Sequence, residues 1–332
     1  MSFPLPAALT AATEKLTSGT RQSEIAKRWA SISARYREGK GSQVAIASPD
    51  EVAAYLLARM PATFAAVSAS LCAASELMPS FSPSSLLDLC AGPATASFAA
   101  LSLWPGISSV TLLDTNPFFL DAAHVLGDAS GIAAIRQAKF VHSTLGSARS
   151  ELPSAELVVM SYALVELNTA EIATLARHIW SHSTGLLLFV EPGTPEGFRR
   201  ILICRDALIK EGAHLVAPCP HVASCPMPPP AWCHFTERLP RSRRHRLAKG
   251  AQVNFEDEPY IYLAFARKGL ELRPRGRIVS RVRVSKAGVR FTVCGEDGRL
   301  TDEMAPRRDR GIYAKMRRAE WGDASFSRQT GE

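Results

Sequence analysis

The chain has 332 residues, 46% hydrophobic and 21% charged, which is enough for one large domain or two ordinary ones with a full core. No run of 18 apolar residues is free of charges or breakers, so the pattern excludes a helical membrane span. The opening MSFPLPAALTAATEKL lacks the marks of a secretion signal or an Arg-rich transit segment, and neither is expected. Seven cysteines make an odd count in such a chain, so clustered thiols point to metal or catalytic use rather than a disulfide framework. The net charge of +8 is uneven: residues 1–236 carry 16 Lys/Arg against 18 Asp/Glu, a net of −2, whereas residues 237–332 carry 23 against 13, a net of +10. An excess concentrated in one region, mostly as Arg, points to a polyanionic partner.

In chain order, residues 1–80 read as a helical region. Apolar residues recur at helical spacing in PDEVAAYLLARMPATFAAVSASLCAASELM, with Ser48 or Asp50 available as an N-cap and Pro61 expected to break the run. From Leu86 the pattern changes to short apolar strands alternating with helices: SLLDLC, SVTLLDTN, AKFVHST, AELVVMSYAL and GLLLFVEPG, each followed by a helical stretch, and later EPYIYLAFARKG. This alternation predicts βαβ units and a doubly wound, Rossmann-like α/β sheet over residues 81–270, interrupted by a proline-rich cysteine loop at 217–236. Residues 271–332 read as a small basic extension of two or three alternating strands, then a basic helix or tail.

The stretch LLDLCAGPATASFA is a strand ending at an acid, a small-residue loop and a helix start. Backbone N–H groups at such a turn suit an anionic or polar ligand. Asp114 ends the next strand, where a carboxylate can accept ribose hydroxyls. A nicotinamide fingerprint needs three glycines; here Gly92 stands between Ala91 and Pro93, with Ala94 behind. The arrangement of Asp88, Ala91, Gly92, Pro93 and Asp114 instead resembles the first motif of class I methyltransferases. That resemblance implies S-adenosylmethionine, with Asp88 facing the ligand's ammonium. Strand ends offer further candidates: His142 and Ser143, Ser161 and Tyr162 with Glu166 beyond, and Glu191. No general base stands out, and SYAL lacks the signatures of amino-group and base-carbon methyltransferases, so no catalytic residue is assigned. Methyl transfer from a sulfonium relies chiefly on positioning.

CPHVASCPMPPPAWCHF places Cys219, Cys225 and Cys233 in a segment too rich in proline for helix or strand. Cys294, in a later strand, would complete a four-sulfur set. Thiolates select zinc or iron–sulfur clusters, and His221 or His234 could replace one sulfur in a zinc site. Cys72, Cys90 and Cys204 fall in apolar patterns and are assigned to packing.

Together AYLLARMPATFAAV, LLDLCAGPATASFAA, PCPHVASCPMPPPAWCHFTERL, FEDEPYIYLAFAR and the late CGEDGRL and AEWGD resemble the methyltransferase-like family of the small ribosomal subunit, from about residue 45 to 323. The resemblance implies a class I S-adenosylmethionine-dependent fold and a [4Fe–4S] cluster on Cys219, Cys225, Cys233 and Cys294. It also implies the small ribosomal subunit and its rRNA as partners. The expectation is an rRNA methyltransferase or an assembly factor, with a zinc-stabilised methyltransferase for another substrate as the third reading, monomeric and off the membrane. It would be cytoplasmic in a bacterium and in the mitochondrial matrix in a eukaryote.

Overall fold

The computed structural model describes residues 2–38, 41–145 and 152–325. Five parallel strands form the frame: β1 (Ser85–Leu89), β2 (Ser109–Asp114), β3 (Lys139–His142), β4 (Ala155–Ser161) and β5 (Ser183–Pro192). Three more strands follow, β6 (His214–Ala217), β7 (Phe235–Pro240) and β8 (Phe255–Ala266). The order is β3-β2-β1-β4-β5-β8-β6, with β8 antiparallel to both of its neighbours. β7 pairs with the first half of β8 and β6 with the second. The cysteine loop is therefore the connection between two strands that share one edge of β8.

Strands covered on both faces read as continuous apolar runs. Leu87, Leu89, Val158 and Met160 enter one core, while Leu86, Leu157 and Val159 enter the other, as the period of two requires. Helices Ile172–His182 and Pro195–Lys210 cover the first face. Helices Thr95–Leu103 and Pro117–Ser130 cover the second, joined by N-terminal helices whose Leu56, Phe64 and Leu71 lie in the same core. Ser48 caps helix Pro49–Ala58: its Oγ accepts from Glu51 N–H while Glu51 Oε2 accepts from Ala47 N–H at 2.7 Å. The chain bends by 53° at Arg59, before helix Met60–Ser75 with Pro61 in its first turn. Both helices are buried, and among the described residues no single helix is long and apolar enough to cross a membrane.

A second sheet comprises β9 (Gly276–Ile278), β10 (Arg283–Val284), β11 (Gly288–Gly295), β12 (Leu300–Pro306) and β13 (Ala324–Ser325). One face of β11, Val289, Phe291 and Val293, packs with Ile312, Tyr313 and Met316 of the basic helix Arg310–Met316. The opposite face carries Cys294, register partner of Arg277 on β9. β6, β7 and the short helix Arg243–Ala248 are additions to the elements expected from the sequence. Each is short, at four to six residues, and β7 is polar along much of its length, so periodicity gives little signal.

Candidate functional site

The loop after β1 is held by the two acids that end β1 and β2. Gly92 N–H donates to Asp114 Oδ2 at 2.8 Å, and Asn116 N–H donates to Asp114 Oδ1 at 2.7 Å. Asp88 is fully buried; its Oδ2 accepts from the Ser97 hydroxyl at 2.6 Å and the Ser97 N–H at 3.1 Å, and its Oδ1 has no partner among the described residues. Burial pushes the Asp88 carboxyl up to about 7 against the pull of those two bonds. Burial also raises Asp114, opposed by its backbone donors.

Cys90, Gly92 and Ala94 all have positive φ, 56°, 55° and 63°. The backbone thus keeps a glycine-type alternation although two of the three residues carry side chains. A left-handed non-glycine residue costs about 1–2 kcal/mol, and such strain concentrates at ligand-holding turns. Cys90, assigned to packing from the sequence, is half-buried and contributes to this turn.

The remaining strand-end residues divide into two groups. Ser143 N–H donates to the Asp114 carbonyl at 3.1 Å and His142 Nε2 lies 2.9 Å from the Thr115 carbonyl, so both sit beside Asp114. Ser161 and Tyr162 lie at the end of β4. Tyr162 has a φ of 55°, its hydroxyl donates to Glu258 Oε1 at 3.0 Å, and its ring stacks 4.5 Å from the Arg59 guanidinium. Arg59 grips Glu258 through two bonds of 2.8 and 2.9 Å. Glu191 is buried, with Oε1 accepting from Ala163 and Leu164 N–H groups at 3.0 and 2.8 Å, and burial pushes it up to about 8.

Several residues of this edge escaped the sequence reading. Asn116 caps helix Pro117–Ser130, and its Nδ2 donates to the Ile46 carbonyl at 2.8 Å, tying the N-terminal helices to the loop. The Asn-Pro pair at 116–117 was the available signal. Tyr36 and Tyr55 bring N-terminal rings within electrostatic reach of Asp114 and Glu166, and Tyr55 meets Phe119 edge-on at 4.8 Å. No local pattern announces these contacts.

The second site lies between the two sheets. Cys219, Cys225, Cys233 and Cys294 line one pocket of about 540 Å³, counting its part open to solvent. Every pair of the four is within electrostatic reach. Among the described residues no three His, Cys, Asp or Glu side chains stand close enough to hold a single metal ion. Burial pushes the thiols of Cys219, Cys233 and Cys294 up, Cys294 to about 12. His221 Nε2 lies 3.3 Å from the Cys294 sulfur, whereas His234 is engaged with the rings of Trp232 and Trp321.

Two buried cations line the same pocket. Arg205 is 1% exposed and Arg277 2%. Arg205 donates to the carbonyls of His221 and Ala223 at 2.9 and 2.7 Å; Arg277 donates to those of Pro218 and Gly322 at 2.9 and 2.8 Å. Arg205 Nε and Arg277 Nη2 have no partner among the described residues. Arg205 Nη1 lies 3.6 Å from the exposed Asp206 carboxylate, whereas Arg277 has no carboxylate partner among the described residues, so the buried Arg277 in particular calls for an anion.

The strand order, with Asp88 and Asp114 at the ends of β1 and β2 flanking a small-residue turn, is that of a doubly wound Rossmann-like α/β fold. Solved structures of similar fold include precorrin-6y C5,15-methyltransferase from Geobacter metallireducens, at 15% identity and a TM-score of 0.40 over 60% of this chain and 86% of that one. Another is magnesium protoporphyrin IX methyltransferase from Synechocystis PCC 6803 with bound SAM, at 13% identity and a TM-score of 0.41 over 74% and 97%. Residues 49–326 match the family model of the mitochondrial small ribosomal subunit protein Rsm22, and the chain belongs to the Rsm22 family. It is similar to the human mitochondrial ribosome assembly protein METTL17, 26% identical over 286 residues, which are 81% of this chain and 61% of that protein. It is also 30% identical over 159 residues to the mitochondrial Rsm22-cox11 tandem protein 2 of Schizosaccharomyces pombe, covering 43% of this chain and 21% of that protein. The chain thus spans about three-fifths of the human relative's length and about a fifth of the yeast one's.

Proposed function

We propose that this chain is an assembly factor of the small ribosomal subunit, with a methyltransferase-like body that binds S-adenosylmethionine and a cysteine pocket that holds a [4Fe–4S] cluster. The convergence of Cys219, Cys225, Cys233 and Cys294 on one pocket with two buried, under-paired arginines carries the reading. Four thiolates around a cluster bring about two net negative charges, which Arg277 and, alongside its pairing with Asp206, Arg205 would offset. Four thiols lining one pocket suit a cluster, and zinc is the alternative that metal analysis distinguishes. When bound, the cluster supplies iron–sulfur bonds that clamp the loop to β11. Arg205 and Arg277 hold the loop carbonyls and offset the charge of the thiolates, and the basic second sheet is left to face rRNA phosphates. The relatives named for mitochondria point to the mitochondrial matrix for a eukaryotic source, with the cytoplasm as the bacterial counterpart; a monomer suffices for this arrangement.

At the strand edge, Asp88 and the Gly92 turn would take the cofactor's amino-acid end and Asp114 its ribose. A second reading is rRNA methylation, for which the same cofactor edge with the unpartnered Asp88 Oδ1 would serve. Co-sedimentation with small subunits, together with mapping of rRNA methyl marks, decides between them. The assembly reading expects Cys219→Ser to abolish association and Asp88→Ala to leave assembly intact. Loss of one rRNA methyl mark in Asp88→Ala, with normal association, would select the enzyme. Stoichiometric zinc without sulfide after anaerobic purification would overturn the cluster.

A further inference from the structure

β8 pairs with β5 only from Tyr260, opposite Pro192, to Ala266. Its first residues, 255–259, run on past the C-terminal end of β5 and pair there with β7. At about 3.3 Å per residue this extension rises roughly 16 Å beyond the sheet. It rises from the edge that carries the Gly92 turn and Asp114. Its tip, residues 241–254, contains no acid, and residues 238–254 carry six Lys/Arg.

The inner charges of this segment are neutralised. Glu256 holds Arg241 at 3.3 Å, His245 at 3.1 Å and also Lys249, while Asp257 holds Arg238 through two bonds of 2.6 and 2.8 Å. The outer ones are not. Arg244 is turned inward, donating to the Thr17 hydroxyl and carbonyl at 2.8 and 2.9 Å. Arg243 is exposed and Arg246 partly exposed, and neither has a carboxylate partner among the described residues. Beside them Leu247 and Val253 are 44% and 49% exposed.

We propose that this hairpin tip is a second RNA-docking surface, gripping phosphates through Arg243 and Arg246 at the cofactor edge. It rests on the reading of the protein as an RNA-contacting factor but uses a surface separate from the C-terminal sheet. The Glu256 cluster anchors the short helix, and Arg243 and Arg246, three residues apart on it, present guanidinium groups with no carboxylate partner among the described residues, suited to bidentate phosphate contact.

The test is fluorescence anisotropy of the full, cluster-loaded chain with a labelled mixed-sequence RNA hairpin over a salt series. R243A/R246A is compared with R283A/R290A, which alters exposed arginines of the C-terminal sheet. Loss of two phosphate contacts lowers the slope of log affinity against log salt by about 1.4–1.8 and weakens binding about tenfold or more. The expected result is this loss in R243A/R246A with unchanged circular dichroism and melting. If R283A/R290A alone loses binding, the hairpin proposal fails while the RNA reading stands. If the unaltered chain binds no RNA, both fail. If R243A/R246A instead loses only binding to anionic phosphatidylserine vesicles, the surface is a lipid contact and the proposal is overturned.

Discussion

Arg277 and Cys294 are register partners on β9 and β11, so a buried guanidinium stands one strand from a thiol that the cysteine loop reaches from the other side. The pairing makes the second sheet part of the pocket wall. It also couples the order of that sheet to whatever the thiols hold.

Arg277→Met should therefore act differently in the loaded and empty forms. In the loaded protein it removes the bonds to Pro218 and Gly322 and leaves the thiolate charge under-compensated, for a loss of about 2–4 kcal/mol. In the empty protein the guanidinium is itself an unpaired buried charge, and its removal costs less. Anaerobic denaturant unfolding of both forms measures the difference; an equal loss in both would dissociate Arg277 from the ligand group.

Serine at Cys219, Cys225, Cys233 or Cys294 should each remove iron, sulfide and the visible absorption together. Cys72→Ser should leave them intact, because Cys72 lies on helix Met60–Ser75 near Glu76 and does not line the pocket. Iron and sulfide analysis of the five proteins checks this. Retention of full iron and sulfide in Cys294→Ser would detach β11 from the site.

The parallel sheet was legible because β1, β2, β4 and β5 are buried runs ending at polar residues, a pattern that depends only on neighbours in sequence. The loop cysteines were legible for a similar reason, since proline excludes helix and strand and leaves the thiols unexplained. What could not be read is what distance in sequence hides. Arg59 meets Glu258 across 199 residues and Arg277 meets Pro218 across 59, and an arginine alone does not reveal whether it will be buried. The left-handed Cys90 and Ala94 were also hidden, because residue type argues against the conformation that the tertiary fold imposes.

S-adenosylmethionine affinity should rise with pH. The Asp88 carboxyl titrates at about 7 in the free protein because it is buried, and the ligand's ammonium favours its ionised form. Below that value binding must expel a proton, so affinity should climb by up to about tenfold per pH unit between roughly pH 5.5 and 7. Asp88→Asn should bind more weakly and show no slope over the same range. Calorimetric titration at several pH values tests both, and a flat profile in the unaltered protein would remove Asp88 from the ammonium site.

The basic hairpin provides a stability test at a carboxyl that is lowered rather than raised. Burial alone would raise Glu256, but hydrogen bonds from His245 and Lys249 and the charge of Lys249 bring it down to about 2 from an ordinary 4.5. A folded-state value below the unfolded one contributes stability that is fully present above about pH 4.5 and is lost as pH falls through about 2. The difference corresponds to about 3 kcal/mol. Glu256→Gln should therefore destabilise the chain by up to that amount at pH 7, with the gap closing as the pH approaches 2. Urea unfolding of the two proteins at pH 7, 4.5 and 3 measures the closure. A gap that stays constant from pH 7 to 3 would mean that Glu256 supports the hairpin through packing rather than charge.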